Sequence, residues 1–345
     1  MISTVVVGYG LAGRTIHCPL IRRQRELRLH GIVARDPELR AEATATWRVR
    51  GYADLDEALT DPEVALIVIA TPHKTHMELA VRALEAGKNC VVDKVMAMSA
   101  AEADRMIAAR DAAGRMLSVF HNRRWDWDYL TVRKILAGNE IGRPFLIESS
   151  VCRYAPPRGW RGQARAGGTL LHDWGAHLID QALQLGLGPW RRLSAWVAPA
   201  PWPGIDSGGH GRIMLEFEGV NFQIESSRAC QLERPRWWIL GTQGAFAKRG
   251  IDPQEDALRA GDIDGANEPA DHIGHLHRML DGKILDTAVP SVRGHWDEYY
   301  ANIAAYLLDN APLAVTAEQA RDVVRILDYA CEASVERTVI EAPRM

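Results

Sequence analysis

The chain has 345 residues, of which 47% are hydrophobic and 25% charged, with a formal net charge of −3. That balance suits a soluble globular protein of two domains. It excludes a membrane-spanning helix, since no run of about 18 apolar residues occurs, and offers no general attraction to nucleic acid, whose backbone calls for a basic face. The basic pairs Arg22-Arg23 and Arg191-Arg192 read as solvated surface. Five cysteines, Cys18, Cys90, Cys152, Cys230 and Cys331, are widely spaced and form no C-x-x-C pair. Reduced, mostly buried thiols are expected rather than a disulfide framework or a zinc ribbon. No basic segment precedes an apolar one at the N-terminus, which reads as a cytoplasmic protein.

In chain order, the first element is the apolar run Thr4 to Val7, which ends in Gly8, Gly10 and Gly13 spaced as G-x-G-x-x-G. A β-branched run suits a buried parallel strand, and the glycines allow a tight turn where backbone approaches a pyrophosphate. Leu11 and Ala12 open a helix whose N-terminus favours anionic oxygens. That helix should run toward Arg28, with a kink or restart at Pro19. Leu27 to Ala34 reads as the second strand. It ends in Ala34-Arg35-Asp36-Pro37, about 20 residues beyond the last glycine, where a dinucleotide fold reads the adenosine ribose. A small residue followed by Arg35 suits the 2′-phosphate of NADP. Asp36 turned inward would suit NAD instead, and an ordinary surface turn is the plain alternative.

A short helix is expected over Asp54 to Leu59 and a buried strand over Ala65 to Ala70. Thr71-Pro72-His73-Lys74-Thr75-His76 then opens a helix, with Thr71 and Pro72 placed to pack on a cofactor. A strand over Asn89 to Val92 closes in Asp93-Lys94-Val95, followed by a helix over Ser99 to Ala113 and a strand over Met116 to Phe120. Alternating strands and helices predict a doubly wound parallel sheet for residues 1–121.

Residues 122–345 read as a second, α+β domain. A helix is expected over Tyr129 to Ala137. Period-two stretches follow at Phe145 to Arg153, Leu193 to Val197, Ile213 to Phe217, Asn221 to Ser226 and Trp237 to Leu240, implying a largely antiparallel open sheet with helices on one face. A helix over Gly175 to Leu185 interrupts them. Two more are expected near His295 to Leu308 and Ala317 to Glu336. Asp173 and His177, at i and i+4, fall on one face of a helix start, and Gln181 continues that face. His172, Asp173 and His177 lack a third spaced zinc ligand, so no metal is expected there. His272, His275 and His277 read as a solvated loop. Eleven tryptophans are compatible with a carbohydrate-like ligand as well as with a core.

The glycine turn, Thr71-Pro72 with His76, Asp93-Lys94, and the run Gly168 to His177 together resemble the Gfo/Idh/MocA family, the glucose-fructose oxidoreductase and inositol dehydrogenase group. The segments 118–126, Arg153-Tyr154, 250–261 and 290–292 are most similar to its NADP-dependent scyllo-inositol 2-dehydrogenases. The resemblance implies a Rossmann domain followed by a substrate and oligomerisation domain, and a secondary-alcohol dehydrogenase. It points to Lys94, Asp173 and His177 as the catalytic set. Cofactor contacts are expected from Gly8, Gly10, Leu11, Ala12, Gly13, Arg35, Thr71, Pro72, His76, Asp93, Lys94 and Asn122. Substrate contacts are expected from Arg124, Trp125, Tyr154, Trp160, Arg161, Asp173 and His177, with domain-interface packing as the alternative for the first five. A homodimer or homotetramer acting on a polyol or sugar is the implied assembly. One departure stands out: the family shows Glu-Lys-Pro where this chain has Asp93-Lys94-Val95. A bond before valine prefers trans, which would seat Lys94 differently and leaves a nucleotide-binding sensor with impaired turnover as an alternative.

Overall fold

The protein's structure, a computed structural model, describes residues 1–343. Among the described residues the strands run in chain order as β1 (Ile2–Val7), β2 (Leu27–Val33), β3 (Arg50–Tyr52), β4 (Leu66–Ile69), β5 (Asn89–Asp93), β6 (Leu117–Phe120), β7 (Pro144–Cys152), β8 (Arg192–Ala198), β9 (His210–Phe217), β10 (Val220–Ser227), β11 (Trp237–Gly241), β12 (Gly244–Lys248), β13 (Gly274–Leu280), β14 (Lys283–Val289) and β15 (Val339–Glu341). The α-helices are α1 (Cys18–Arg23), α2 (Pro37–Trp47), α3 (Leu55–Leu59), α4 (His76–Glu85), α5 (Ala100–Ala113), α6 (Trp127–Ala137), α7 (Ala176–Leu183), α8 (Gln254–Arg259), α9 (Asp297–Asp309) and α10 (Ala317–Glu336).

The chain forms two compact units. The first contains Met1–Asn122, Gln254–Ala266 and His295–Val324; the second contains Arg123–Pro253, Asn267–Gly294 and the residues from Arg325 onward. A division at 121/122 assigns all of 122–345 to the second domain, whereas α8 and α9 lie in the first unit.

Unit 1 holds a parallel six-stranded sheet in the order β3-β2-β1-β4-β5-β6. Every residue of β1, β4 and β6 is buried, as strands covered on both faces require. Strand order reverses between β1 and β4, and ligands of such sheets bind outside the carboxyl ends of the strands at that point. α1 and α2 pack on β2, α4 on β4 and β5, and α9 on α1. Pro19 falls in the first turn of α1, which restarts after a π-type turn at Gly13–His17 and ends at Arg23. The segment after Asp36 is a helix rather than only a turn: Pro37 is its first residue, and the Asp36 carboxylate accepts from the N–H of Glu38 at 2.8 Å and of Leu39 at 3.3 Å.

Unit 2 holds a nine-stranded sheet in the order β14-β13-β12-β11-β7-β10-β9-β8-β15. β7 and β10 pair in parallel and the remaining neighbours antiparallel. On β9, buried Gly211, Ile213, Leu215 and Phe217 alternate with Arg212, Met214 and Glu216. α7 and the turn before it pack on β10. Trp237 is fully buried, while Trp196 and Trp238 are exposed. His275 and His277 lie on strand β13, not in a loop, because β13 pairs with β14 and sets both rings beside Asp286.

Candidate functional site: a nucleotide turn and an arginine-held carboxylate

In unit 1 the three glycines serve two different needs. Gly8 has φ +102°, and a Cβ there would fall 2.6 Å from the Ala70 carbonyl oxygen; one at Gly13 would fall 2.0 Å from the Gly8 carbonyl oxygen. Both positions are closed to any side chain by the protein's own backbone. A Cβ at Gly10 meets nothing within 4 Å, so the second glycine faces open space, as close approach of a pyrophosphate requires. The chain is helical from Leu11, which is itself exposed. The donor set therefore fits a dinucleotide at this turn.

The strand end expected to read the ribose carries a capping acid and an exposed arginine. One oxygen of the Asp36 carboxylate, Oδ1, caps α2, while Arg35 is exposed beside it. Arg40, unmarked in the sequence, donates to the Ala34 carbonyl at 2.7 Å and fixes the backbone that carries Arg35.

The Lys94 loop is held from both sides. The Asp93 carboxylate accepts from the Lys94 backbone N–H at 2.9 Å. Burial would raise the Asp93 pKa, but His17, Lys94 and His76 together bring it down to about 2. His17 Nε2 lies 3.8 Å from Asp93, and its Nδ1 lies 2.7 Å from the Tyr300 hydroxyl. His17 and Tyr300 come from distant stretches, and no local pattern marks them. His76 is fully buried, with Nδ1 2.7 Å from the Val95 carbonyl and Nε2 2.9 Å from that of Thr71. Burial lowers its pKa against the opposing pull of Asp93, and it acts on the loop through backbone rather than presenting a ring to a ligand. The Lys94–Val95 peptide bond is cis, not trans as valine's intrinsic preference suggests; Val95 is fully buried and its carbonyl is taken by His76. Thr71 and Thr75 share a hydroxyl hydrogen bond of 2.6 Å, and Pro72 precedes the single turn that leads into α4. Asn122 is buried at the end of the first segment.

In unit 2 the run from Gly168 to His177 is not a regular helix start. Leu171–Gly175 is a π-type turn that passes directly into α7, so Asp173 stands in the turn and His177 in the α-helix. Such turns recur at functional sites. Arg228, at the end of β10 and missed in the sequence, organises the acid. Its Nη2 donates to Asp173 Oδ2 at 3.0 Å, and its Nη1 donates to the Arg161 carbonyl and Ser207 Oγ, each at 3.1 Å. His177 is buried, with its ring 5.8 Å from that of Trp174, and the Arg123 guanidinium lies 4.2 Å above Trp174.

The weaker substrate candidates separate. Arg124 is buried and makes a two-point ion pair with Asp180 of α7, at 2.6 and 2.9 Å, which commits its guanidinium to holding the helix. Gln181 is fully buried as well, donating to the Arg123 carbonyl and accepting from Arg236. Trp125 is half-buried, its carbonyl close against Gly294. Tyr154 is exposed with its ring against Trp202, and Trp160 carries Arg161 over its face at 4.8 Å. His172 is tied to the Thr169 hydroxyl.

Two family signatures match this chain: an oxidoreductase family with an NAD-binding Rossmann fold over residues 2–121, and a GFO/IDH/MocA C-terminal domain over residues 129–247. The chain belongs to the Gfo/Idh/MocA oxidoreductase family. It is 32% identical to the scyllo-inositol 2-dehydrogenase (NADP(+)) IolW of Bacillus subtilis, over 98% of this chain and 95% of that one. It is also 32% identical to the oxidoreductase YdgJ of Escherichia coli, over 97% of each. A solved structure of the Bacillus subtilis oxidoreductase yvaA superposes with a TM-score of 0.92 at 31% identity, covering 99% of this chain and 98% of that one. A more distant relative, 26% identical over 62% of this chain and 66% of its own, is a 1,5-anhydro-D-fructose reductase of Ensifer adhaerens. As a Gfo/Idh/MocA member, this chain is an oxidoreductase that binds a nicotinamide cofactor.

Two outcomes follow from this geometry. Gly13→Ala lowers the thermal midpoint, whereas Gly10→Ala leaves it in place and weakens binding of the reduced nicotinamide cofactor, as fluorescence titration would read. Arg228→Met leaves Asp173 without its guanidinium and costs about 2–5 kcal/mol in chemical denaturation, with Arg228→Lys intermediate; a loss below about 0.5 kcal/mol would mean the pair is surface-like.

Proposed function

We propose that the protein is a dehydrogenase that converts a secondary alcohol of a cyclic polyol or sugar to the ketone, with a scyllo-inositol-like substrate and NADP preferred over NAD. The observation that carries this reading is the Arg228-held carboxylate of Asp173 followed four residues later by His177. A carboxylate paired with a buried guanidinium can orient hydroxyl groups, and imidazole, with an unperturbed pKa of about 6.5, exchanges protons near neutral pH.

Bound NADP+ supplies the hydride acceptor. Among the chain's own groups, His177 takes the hydroxyl proton and returns it in the reverse direction. The Lys94 ammonium favours the alkoxide that develops on the same oxygen. Asp173 accepts from a neighbouring substrate hydroxyl and fixes the ring, while Tyr154, Trp160 and Arg161 contribute apolar faces and donors. Arg35, exposed beside an Asp36 whose Oδ1 caps α2, pairs with the 2′-phosphate. The name of the Bacillus subtilis relative agrees with both the substrate class and the cofactor. The reductase name of the Ensifer relative favours a second reading with the same chemistry and a different sugar. Self-association as a dimer or tetramer is proposed through the open face of the nine-stranded sheet, where Trp196 and Trp238 are exposed.

Initial rates of NADPH formation over a panel of inositols and hexoses test the reading, with scyllo-inositol expected to give the highest kcat/KM. Lys94→Met and His177→Asn should each lower kcat by about 10²- to 10⁴-fold with nucleotide binding retained. Tight NADPH binding without turnover of any polyol would contradict the dehydrogenase and favour a nucleotide sensor. Arg35→Ala should raise the KM for NADP about ten- to a hundredfold while leaving that for NAD nearly unchanged; equal effects on both cofactors would contradict the 2′-phosphate role.

A further inference from the structure

Two of the five cysteines, far apart in the sequence, meet in unit 2. Cys152 ends β7, where its register partner on the parallel neighbour β10 is Ser227. The chain then turns back on itself: Arg153 donates its backbone N–H to the Ser227 carbonyl at 3.0 Å, Tyr154 bridges Ala229, and Cys230 donates its backbone N–H to the Arg153 carbonyl at 3.2 Å. Backbone pairing therefore sets Cys230 beside the end of β7, next to Cys152. Both are half-buried. Cys18 and Cys90 are fully buried elsewhere, and Cys331 lies on α10.

The surroundings favour thiol chemistry over metal binding. The Cys152 thiol points at Glu225 Oε1, 3.7 Å away, but Glu225 already accepts from Arg212 at 3.1 Å and Arg234 at 2.7 Å, and two guanidiniums on the one carboxylate repel a cation. Burial, together with Glu225 and Cys230, pushes the Cys152 thiol up to about 12, so Cys152 is a poor first nucleophile. The Cys230 thiol sits in the loop after β10, 2.9 Å from the Leu232 carbonyl.

We propose that Cys152 and Cys230 form a reversible dithiol–disulfide site whose oxidation by a hydroperoxide acts on the Asp173 half of the catalytic apparatus. The Cys230 sulfur, as thiolate, attacks hydrogen peroxide; the O–O bond breaks, hydroxide leaves, and Cys230 becomes a sulfenic acid. The Cys152 sulfur then attacks that sulfur, and its proton goes to the departing hydroxyl, which leaves as water. Taken together, two thiols and one peroxide give one disulfide and two waters. A dithiol reductant reverses it.

The consequence follows from chain connectivity. Arg228 lies two residues before Cys230, and its guanidinium holds Asp173, Ser207 and the Arg161 carbonyl. A sulfur–sulfur bond is far shorter than a thiol–thiol contact, so closing it draws the 228–230 turn toward β7 and moves the arginine that orients the acid. This effect on turnover rests on the dehydrogenase reading; the existence of the thiol site does not.

The test treats the full-length protein with hydrogen peroxide, then counts thiols under denaturing conditions and maps linked peptides by mass spectrometry. The free-thiol count is expected to fall from five to three, with Cys152 and Cys230 in one linked pair that dithiothreitol releases. Cys331→Ser should oxidise like the wild type, and Cys230→Ser should form no link. In the polyol assay, oxidation should raise KM about threefold or more in the wild type and not in Cys230→Ser, with NADPH affinity unchanged. Absence of the Cys152–Cys230 link would overturn the site, and a link with unchanged KM would overturn its action on Asp173. If no polyol is turned over, the dehydrogenase reading fails while the linked pair still decides the thiol site.

Discussion

The carbonyl oxygen of Gly8 lies where a Cβ on Gly13 would have to be, 2.0 Å from it. That approach holds the first helical turn against the end of β1 and leaves Gly10 facing open space, and the nucleotide half of the account depends on it. Around this contact the sheet reverses its strand order, and the ends of β4 and β5 present Thr71 and the Asp93-Lys94 loop. The loop is not held by the lysine. Asp93 takes the Lys94 N–H, His76 takes the carbonyl of Val95, and His17 links Asp93 toward Tyr300. Burial disfavours the charged forms of both Asp93 and His76, and for Asp93 the neighbouring His17, Lys94 and His76 outweigh it.

Unit 2 uses the same principle with arginines. Arg228 on Asp173, Arg124 on Asp180, and Arg236 on Asp128 are buried or nearly buried pairs; the first two fix α7 and the turn before it, and the third ties α6 to the start of β11. Burial lowers the Arg236 pKa while Asp128 opposes the shift. Removing one partner of such a pair leaves an uncompensated charge, which is why they set geometry more than they add stability. Both candidate half-sites also contain a π-type turn, at Gly13–His17 and at Leu171–Gly175. An added residue per turn changes which side chains share a face, so the i, i+4 relation of Asp173 and His177 is not that of an ideal α-helix.

What the sequence reveals depends on how local the physics is. β1, β4 and β6 are legible because strands buried on both faces are continuous apolar runs, and β9 because one face alternates with the other. β14 is exposed along almost its whole length and carries no such pattern, so the β13–β14 hairpin is invisible and its histidines read as a loop. The helix after Asp36 had its signals, an acid at the cap and proline at the first position, but the same residues also spell a turn. Arg228, His17 and Tyr300 lie beyond sequence reasoning, because only tertiary contact brings them to Asp173 and Asp93. The preference of valine for a trans bond is a local rule, and the Lys94–Val95 bond is cis where Val95 is fully buried and its carbonyl meets His76.

The proposed chemistry needs an ammonium group from the first segment of the chain and an imidazole from α7 to serve one reacting hydroxyl. A crystal structure of the protein with NADP+ and scyllo-inositol tests it most directly. The account predicts Lys94 Nζ and a ring nitrogen of His177 within hydrogen-bond reach of the same substrate oxygen, about 2.6–3.2 Å, with Asp173 still paired to Arg228. A bound polyol that touches only one of the two, or neither, would contradict it.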